Sequence, residues 1–249
     1  MDSGQWIMDS ASTAVIPVPK TSRLLFDTVH YPLITIHRMD ATLIATLLAP
    51  FVVSPDPSLL AQLQCYLDLL LRWNARTNLT AVRDPEQMVT RHFGESLFAA
   101  RVLLGNEAAS QSVRTLADVG SGAGFPGIPI KLFAPETRLT LIEAQNKKAT
   151  FLREAIRALD LHDAEVFQGR AEQWGRVADL VTLRAVERFE HILPIAASLV
   201  SAQGRLGLLV GEAQIEPAKN ALGSQWQWSA PHIAPGSSGR VVLVGGKRP

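Results

Sequence analysis

The stretch LADVGSGAGFPGIPI, residues 116–130, decides the fold class of this chain. A short apolar run ends near Asp118, and closely spaced glycines follow, including Gly120, Gly122 and Gly124. Glycine tolerates positive φ and lets a ligand approach the backbone, so such a loop after a strand is typical of a nucleotide-like cofactor site. In an open α/β sheet the ligand lies beyond the carboxyl ends of the strands, where this loop is predicted to lie. We therefore expect Asp118, Gly120 and Gly122 to bind the cofactor.

The spacing within the loop indicates which cofactor it suits. A dinucleotide fingerprint starting at Gly120 needs its third glycine at position 125, where the sequence has Phe125. Pro126 and Pro129 remove backbone N–H donors that a pyrophosphate would use at a helix start. S-adenosylmethionine carries no phosphate, so the loop favours it over NAD. Glu143, at the end of the next apolar run, is predicted to accept hydrogen bonds from ribose hydroxyls, a role that suits either cofactor.

Around this loop the sequence alternates between strand and helix patterns, which indicates a mainly parallel sheet. Apolar runs predict strands at 115–119, 138–143, 164–168, 178–183 and 204–210. Residues 146–161 have the apolar spacing of an amphipathic helix, and two runs after residue 224 are predicted to close the sheet as a hairpin. Residues 40–105 follow a helical pattern instead, with a leucine stripe along residues 59–71.

Composition narrows the function classes. The chain has 249 residues and a net charge of +1, so any contact with nucleic acid requires a local basic patch. Its one cysteine, Cys65, excludes a disulfide framework and a multi-cysteine metal site. No apolar run reaches the roughly 18 residues of a membrane span. We expect a cytoplasmic protein that uses no metal and contacts no membrane.

DVGSGAGFPGIPI resembles the signature of the RsmG (GidB) family of 16S rRNA guanine-N7 methyltransferases. Other segments match in order, over roughly residues 40–248: RWNARTNLTAVRDPEQMVTRHF before the loop, then KKATFLRE, GRAEQW and LRAV after it. The resemblance implies a class I S-adenosylmethionine-dependent methyltransferase fold of the α/β class. This Rossmann-like sheet has seven strands, the last antiparallel, and carries an N-terminal helical cap. The implied acceptor is N7 of guanosine 527, in the 530 loop of 16S rRNA.

The predicted organisation along the chain has three parts: residues 1–38, a helical cap at 39–110 and a methyltransferase domain at 111–249. The first part lacks sustained periodicity. It is either a disordered extension or the product of a mis-assigned start, with Met39 as the true first residue.

The resemblance also assigns cofactor residues. It places Gly120 and Phe125 at the cofactor and Ala171 with Glu172 where the adenine sits. Arg184 falls near the site of methyl transfer, as the expected catalytic residue that also contacts the cofactor or a phosphate. An ion pair with an acid such as Glu187 is the structural alternative for Arg184.

Three residues are expected to contact RNA: Arg91, His92 and Lys148, the last of which matches a family lysine. His92 could stack on a base or be a hydrogen-bonded structural residue. The sequence departs from the family pattern twice, with Glu95 where the family has aspartate and with Val210 where it often has lysine. RNA affinity must therefore come from elsewhere if that lysine contributes to it.

The expected chemistry needs little from the side chains. Guanine N7 has a free lone pair and no proton, so it can attack a sulfonium methyl in line without a general base. Alignment and exclusion of water then suffice, which agrees with a chain that has no clear acid–base dyad. The expected partner is 16S rRNA or the small ribosomal subunit, with the enzyme a monomer. The alternatives are a methyltransferase of another RNA or a small molecule, or a non-catalytic ribosome-binding module.

Overall fold

The computed structural model describes residues 39–105, 113–184 and 189–248. The expectations for residues 1–38, for the domain boundary at residues 110–111 and for Glu187 lie outside these described residues.

The N-terminal part of the described chain is helical, as predicted. Its helices are α1 (Ala41–Leu48), α2 (Pro57–Thr77), α3 (Pro85–Met88) and α4 (Glu95–Leu104), and a π-helical turn, Val89–Gly94, joins α3 to α4. Helix α2 begins where the Asp56 side chain accepts a hydrogen bond from the Ser58 backbone N–H at 2.8 Å, with Pro57 at the first helical position. Helix α2 ends at Asn78, which has a left-handed φ of 50°.

Strands and helices alternate in the rest of the described chain. The strands are β1 (Thr115–Val119), β2 (Arg138–Glu143), β3 (Ala164–Gln168), β4 (Ala178–Arg184), β5 (Val200–Gly211), β6 (Trp226–Trp228), β7 (His232–Ile233) and β8 (Arg240–Lys247). The helices between them are α5 (Gly127–Phe133), α6 (Asn146–Ala158), α7 (Phe189–Ser198) and α8 (Ile215–Leu222).

The strands form one sheet in the order β3-β2-β1-β4-β5-β8-β6, with β7 also paired to β8. Strands β1 to β5 are parallel, and β8 runs antiparallel to β5, β6 and β7. This confirms the predicted fold class and the closing hairpin. The two-residue β7 is an addition to the seven strands that the family resemblance implied. Strand β5 starts at Val200 rather than at residue 204, because its register with β4 shifts between Ala178 and Leu180 and leaves room for extra residues.

Apolar side chains from the two faces of the sheet enter two separate cores. Leu116 and Leu141 point into the core shared with α1 to α6, whereas Ala117 and Ile142 point into the core shared with α7 and α8. The helical cap therefore shares one core with the sheet. Hydrogen bonds from Tyr66 to Ala123 and from Arg184 to Glu95 place the cap over the carboxyl ends of β1 and β4. None of the helices in the described ranges is long and apolar enough to cross a membrane.

Candidate cofactor and acceptor site

The glycine loop joins β1 to α5 and folds back over the end of β2. Gly120, Gly122 and Gly124 have φ values of 67°, 58° and 87°, which glycine adopts without strain. A Cβ on Gly124 would lie 2.5 Å from the Tyr66 hydroxyl, so this glycine is required by packing. A Cβ on Gly122 would meet only the Gly120 carbonyl oxygen, at 3.7 Å, so a ligand can approach the backbone there.

Glu143 contacts the glycine loop directly, whereas its predicted hydrogen bonds to ribose hydroxyls stay a prediction. One carboxylate oxygen accepts the Gly122 N–H at 2.9 Å, and the other accepts the Gln145 N–H at 2.7 Å. The residue is 6% exposed. Each carboxylate oxygen has a second lone pair, so this side chain can still accept hydrogen bonds from a ligand.

Asp118 lies beneath the loop rather than at its open edge. It is 1% exposed, accepts the Thr182 hydroxyl at 2.8 Å and accepts the Gly127 N–H at 3.3 Å. Burial raises the pKa of Asp118 to about 6, and the hydrogen bond from Thr182 opposes this shift. The geometry makes Asp118 a brace between β1, β4 and α5, and a direct contact with cofactor stays a prediction.

The cap holds the loop through aromatic side chains. Phe125 is 8% exposed and stacks on Tyr66 and His92, with ring centroids 5.3 and 4.9 Å apart. Tyr66, on α2, is fully buried and donates its hydroxyl to the Ala123 carbonyl oxygen of the loop. Sequence reasoning missed Tyr66. Its signal is a hydroxyl-bearing ring on an otherwise apolar stripe, because a buried hydroxyl needs a partner.

The residues predicted to border the adenine follow β3, the strand that pairs with β2. Ala171 and Glu172 form a 3₁₀ turn after β3, with Ala171 buried and Glu172 exposed. Strand β3 pairs with β2, and the Gly169 N–H donates to the Glu143 carbonyl oxygen at 3.1 Å. Lys148 is partly exposed in the first turn of α6, the helix that follows β2.

Arg184 ends β4 and is tied to the cap. Its guanidinium donates to the Glu95 carboxylate at 3.0 Å, to the Ser96 hydroxyl at 3.1 Å and to the carbonyl oxygens of Arg91 and His92. The side chain is 13% exposed. Arg184 thus forms a structural ion pair, which was the predicted alternative, and its partner is Glu95.

Glu95 bridges two arginines. Its second carboxylate oxygen accepts the Nε–H of Arg240, on β8, at 2.6 Å. The Glu95 side chain is 7% exposed, so its contact with Arg184 is largely desolvated, whereas Arg240 is 39% exposed. Glu95 therefore links β4, β8 and the cap.

His92 is held within the protein. Its Nε2 is 2.7 Å from the Thr80 hydroxyl, and one ring face lies on Phe125. Burial, together with the nearby charges of Arg184 and Arg91, lowers the pKa of His92 to about 3. The ring is neutral near pH 7 and matches the hydrogen-bonded structural role, whereas its predicted RNA contact stays a prediction.

A cavity of about 230 Å³ lies beyond the carboxyl ends of β4 and β5. Its lining includes Arg91, His92, Glu95, Arg184, Val210 and Arg240. It therefore gathers two of the three predicted RNA contacts and the predicted catalytic arginine. A larger cavity of about 570 Å³ lies between the α1–α2 connection, the end of α5 and residues 160–162, and its lining contains none of the predicted site residues.

Comparison with known proteins identifies the family. The family model described as rRNA small subunit methyltransferase G matches residues 59–228. The chain belongs to this family. A ribosomal RNA small subunit methyltransferase G of Xanthomonas euvesicatoria is 39% identical over 195 residues, covering 77% of this chain and 88% of the relative. One from Chloroflexus aggregans is 38% identical, covering 74% and 80%.

Solved structures support the fold. The ribosomal protein L11 methylase of Lactobacillus delbrueckii has a TM-score of 0.52 at 14% identity, covering 64% of this chain and 79% of that one. The fold is that of class I S-adenosylmethionine-dependent methyltransferases, as predicted. Within the described residues, no group of three or more His, Cys, Asp or Glu side chains could hold a metal ion.

Proposed function

We propose that this enzyme transfers a methyl group from S-adenosylmethionine to N7 of guanosine 527 in 16S rRNA. The observation that carries the proposal is the glycine loop braced by Glu143 beside the arginine-lined cavity, in a chain of this family. The proposed partner is 16S rRNA or the small ribosomal subunit, and we propose that the enzyme acts as a cytoplasmic monomer.

The loop residues fit S-adenosylmethionine, whose sulfonium supplies an electrophilic methyl group. Gly120 and Gly122 offer close backbone approach, and Glu143 retains acceptor capacity for ribose hydroxyls. Ala171 and Glu172, in the turn that follows β3, would border the adenine. Because no phosphate has to be bound, the absence of an N–H donor at Pro126 carries no penalty.

The cavity suits a base that needs no deprotonation. Its volume of about 230 Å³ accommodates a purine, and the neutral His92 and ion-paired Glu95 in its wall are both held by hydrogen bonds. Methylation at N7 leaves the base with a positive charge, which an isolated arginine would destabilise. The Glu95 carboxylate, 3.0 Å from Arg184, lowers that penalty for Arg184, although the same carboxylate also pairs with Arg240.

The proposal is tested by transfer of a tritiated methyl group from S-adenosylmethionine. The acceptors are small ribosomal subunits from a strain that lacks this gene, stripped 16S rRNA from those subunits, and a metabolite extract. Label in the subunits or the rRNA supports the proposal. Label confined to the metabolite fraction identifies a small-molecule methyltransferase. No label, with no heat on titration with S-adenosylmethionine, identifies a non-catalytic binding module.

A further inference from the structure

The arginines around the acceptor cavity differ in how many of their donors are used. Both terminal nitrogens of Arg184 donate to cap residues. Arg240 donates only its Nε–H, to Glu95, and its two terminal nitrogens have no hydrogen-bond partner among the described residues. The Arg240 side chain is 39% exposed, so these donors are accessible. Arg184 is therefore an anchored group, whereas Arg240 presents a free guanidinium edge.

Arg91 is the second arginine with free donors. The residue is exposed, and its guanidinium has no hydrogen-bond partner within the described ranges. Arg91 and Arg240 both line the 230 Å³ cavity. With Arg184 there are three cations against the single carboxylate of Glu95, and His92 is neutral, so the site has a net charge of about two positive units. A site of this kind favours an anion with several acceptor oxygens.

Arg91 and Arg240 line two cavities. A second cavity, of about 380 Å³, also includes Arg91, Glu95 and Arg240 in its lining. The rest of that lining is mostly apolar and includes Leu47, Pro50, Phe51 and Pro235. Two cavities that share an arginine pair match a phosphodiester with a nucleoside on each side.

The anion could be the carboxylate of the cofactor or a phosphate of the acceptor RNA. Strand β8 is separated from β1, which leads into the glycine loop, by β4 and β5. These three strand spacings place β8 about 14 Å from β1 across the sheet, away from the glycine loop. Arg240 also lies opposite Gly211, at the carboxyl end of β5. The position of Arg240 therefore favours the RNA.

We propose that Arg91 and Arg240 bind the phosphodiester adjacent to the acceptor guanosine. The acceptor base occupies the 230 Å³ cavity, and the neighbouring nucleoside occupies the 380 Å³ cavity. This inference rests on the proposed function, since it assigns a phosphate subsite to the same RNA. The arginine fork can make two parallel hydrogen bonds to phosphate oxygens, which fixes the position of the strand.

The test compares Arg91→Gln and Arg240→Gln with the control Arg205→Gln. Arg205 lies on β5 opposite Gly246, six residues from the position opposite Arg240, or about 20 Å along the strand. Binding to small subunits from the gene-deleted strain is measured by filter retention between about 50 and 300 mM salt. We expect each site variant to weaken binding about tenfold, the equivalent of one charge-assisted hydrogen bond. The slope of log affinity against log salt should fall by about 0.7 to 0.9. Arg205→Gln should match wild type.

The cofactor and the fold serve as internal controls. Titration with S-adenosylmethionine should give wild-type affinity in both site variants, and KM for subunits should rise more than kcat falls. Arg240→Lys keeps the charge beside Glu95 but loses the fork, so it provides a folded alternative if Arg240→Gln is unstable. The lysine variant should retain the salt slope while losing affinity.

Three results would overturn the inference. Unchanged RNA affinity and salt slope in both site variants would show that the arginines do not bind phosphate. Loss of S-adenosylmethionine affinity with intact RNA binding would assign them to the cofactor carboxylate. A wild-type protein that neither binds nor methylates RNA would remove the proposed function, and this inference with it.

Discussion

Replacing Glu95 by glutamine tests how the cap is joined to the sheet. The glutamine keeps the size of the side chain and removes its charge. In the structure Glu95 accepts hydrogen bonds from Arg184 and Arg240, whose side chains are 13% and 39% exposed. The variant removes the carboxylate that pairs directly with the largely desolvated Arg184 guanidinium and leaves Asp118 as the nearby negative charge.

The magnitude follows from the burial of the two partners. Removing one member of a buried ion pair costs about 3–5 kcal/mol. The glutamine oxygen can still accept one hydrogen bond, and the half-exposed Arg240 contributes little, so we expect the lower end, about 3 kcal/mol. Glu95→Asp keeps the charge but has a shorter reach, so it should lose one of the two arginine contacts and fall between wild type and Glu95→Gln.

The assay is urea unfolding followed by far-ultraviolet circular dichroism. With an m-value of about 2–3 kcal/mol/M, a 3 kcal/mol loss lowers the midpoint by about 1 to 1.5 M. The matched control is Glu165→Gln, which breaks the exposed ion pair with Arg176. That pair is expected to contribute less than about 1 kcal/mol. A free energy of unfolding for Glu95→Gln within 1 kcal/mol of wild type would refute this reasoning, as would equal losses in the two variants.

Three further predictions concern the loop and the cap. Tyr66→Phe removes the hydroxyl that donates to Ala123, so the free energy of unfolding in urea should fall by about 1–2 kcal/mol. Titration should also show weaker S-adenosylmethionine binding. Unchanged values would contradict the support of the loop by Tyr66. Gly124→Ala should destabilise the protein more than Gly175→Ala, because both glycines have positive φ but only the first has a side chain within 2.5 Å of the added Cβ; equal melting temperatures would contradict this. His92 remains neutral in the folded protein down to about pH 3, whereas the unfolded chain protonates it below about pH 6.5. Protonation therefore stabilises only the unfolded chain, so the free energy of unfolding is highest above pH 6.5 and decreases as the pH falls. Between pH 7 and pH 5 the free energy of unfolding in urea should decrease by about 2 kcal/mol less in His92→Gln than in wild type. Equal decreases in the two proteins would refute the neutral state assigned to His92.

The features that sequence could predict are local or periodic. Glycines directly after an apolar run specify the β1–α5 turn, and Glu143 at the end of the next strand must lie beside it because parallel strands end at one edge. The hydrogen bond from Gly122 to Glu143 is the outcome of that rule. The family motif then supplied the fold in detail, apart from the two-residue strand β7.

The features that sequence could not predict depend on contacts between distant segments. Arg184 and Glu95 are 89 positions apart, and Tyr66 and Ala123 are 57 apart. No periodicity relates such pairs, so the anchored state of Arg184 and the support of the loop by the cap become visible only in the structure. Arg240 was missed for the same reason. It is the first residue of an ordinary apolar strand and becomes part of the site only through its pairing opposite Gly211.

The most direct test of the account is to locate the methylated nucleotide. Small subunits from the gene-deleted strain are methylated by the purified enzyme, and their 16S rRNA is cleaved with borohydride and aniline, which cut at 7-methylguanosine. If the enzyme methylates N7 of guanosine 527, one new cut appears at that nucleotide and requires both enzyme and S-adenosylmethionine. Methyl incorporation into the rRNA without a cut at that position would contradict the account.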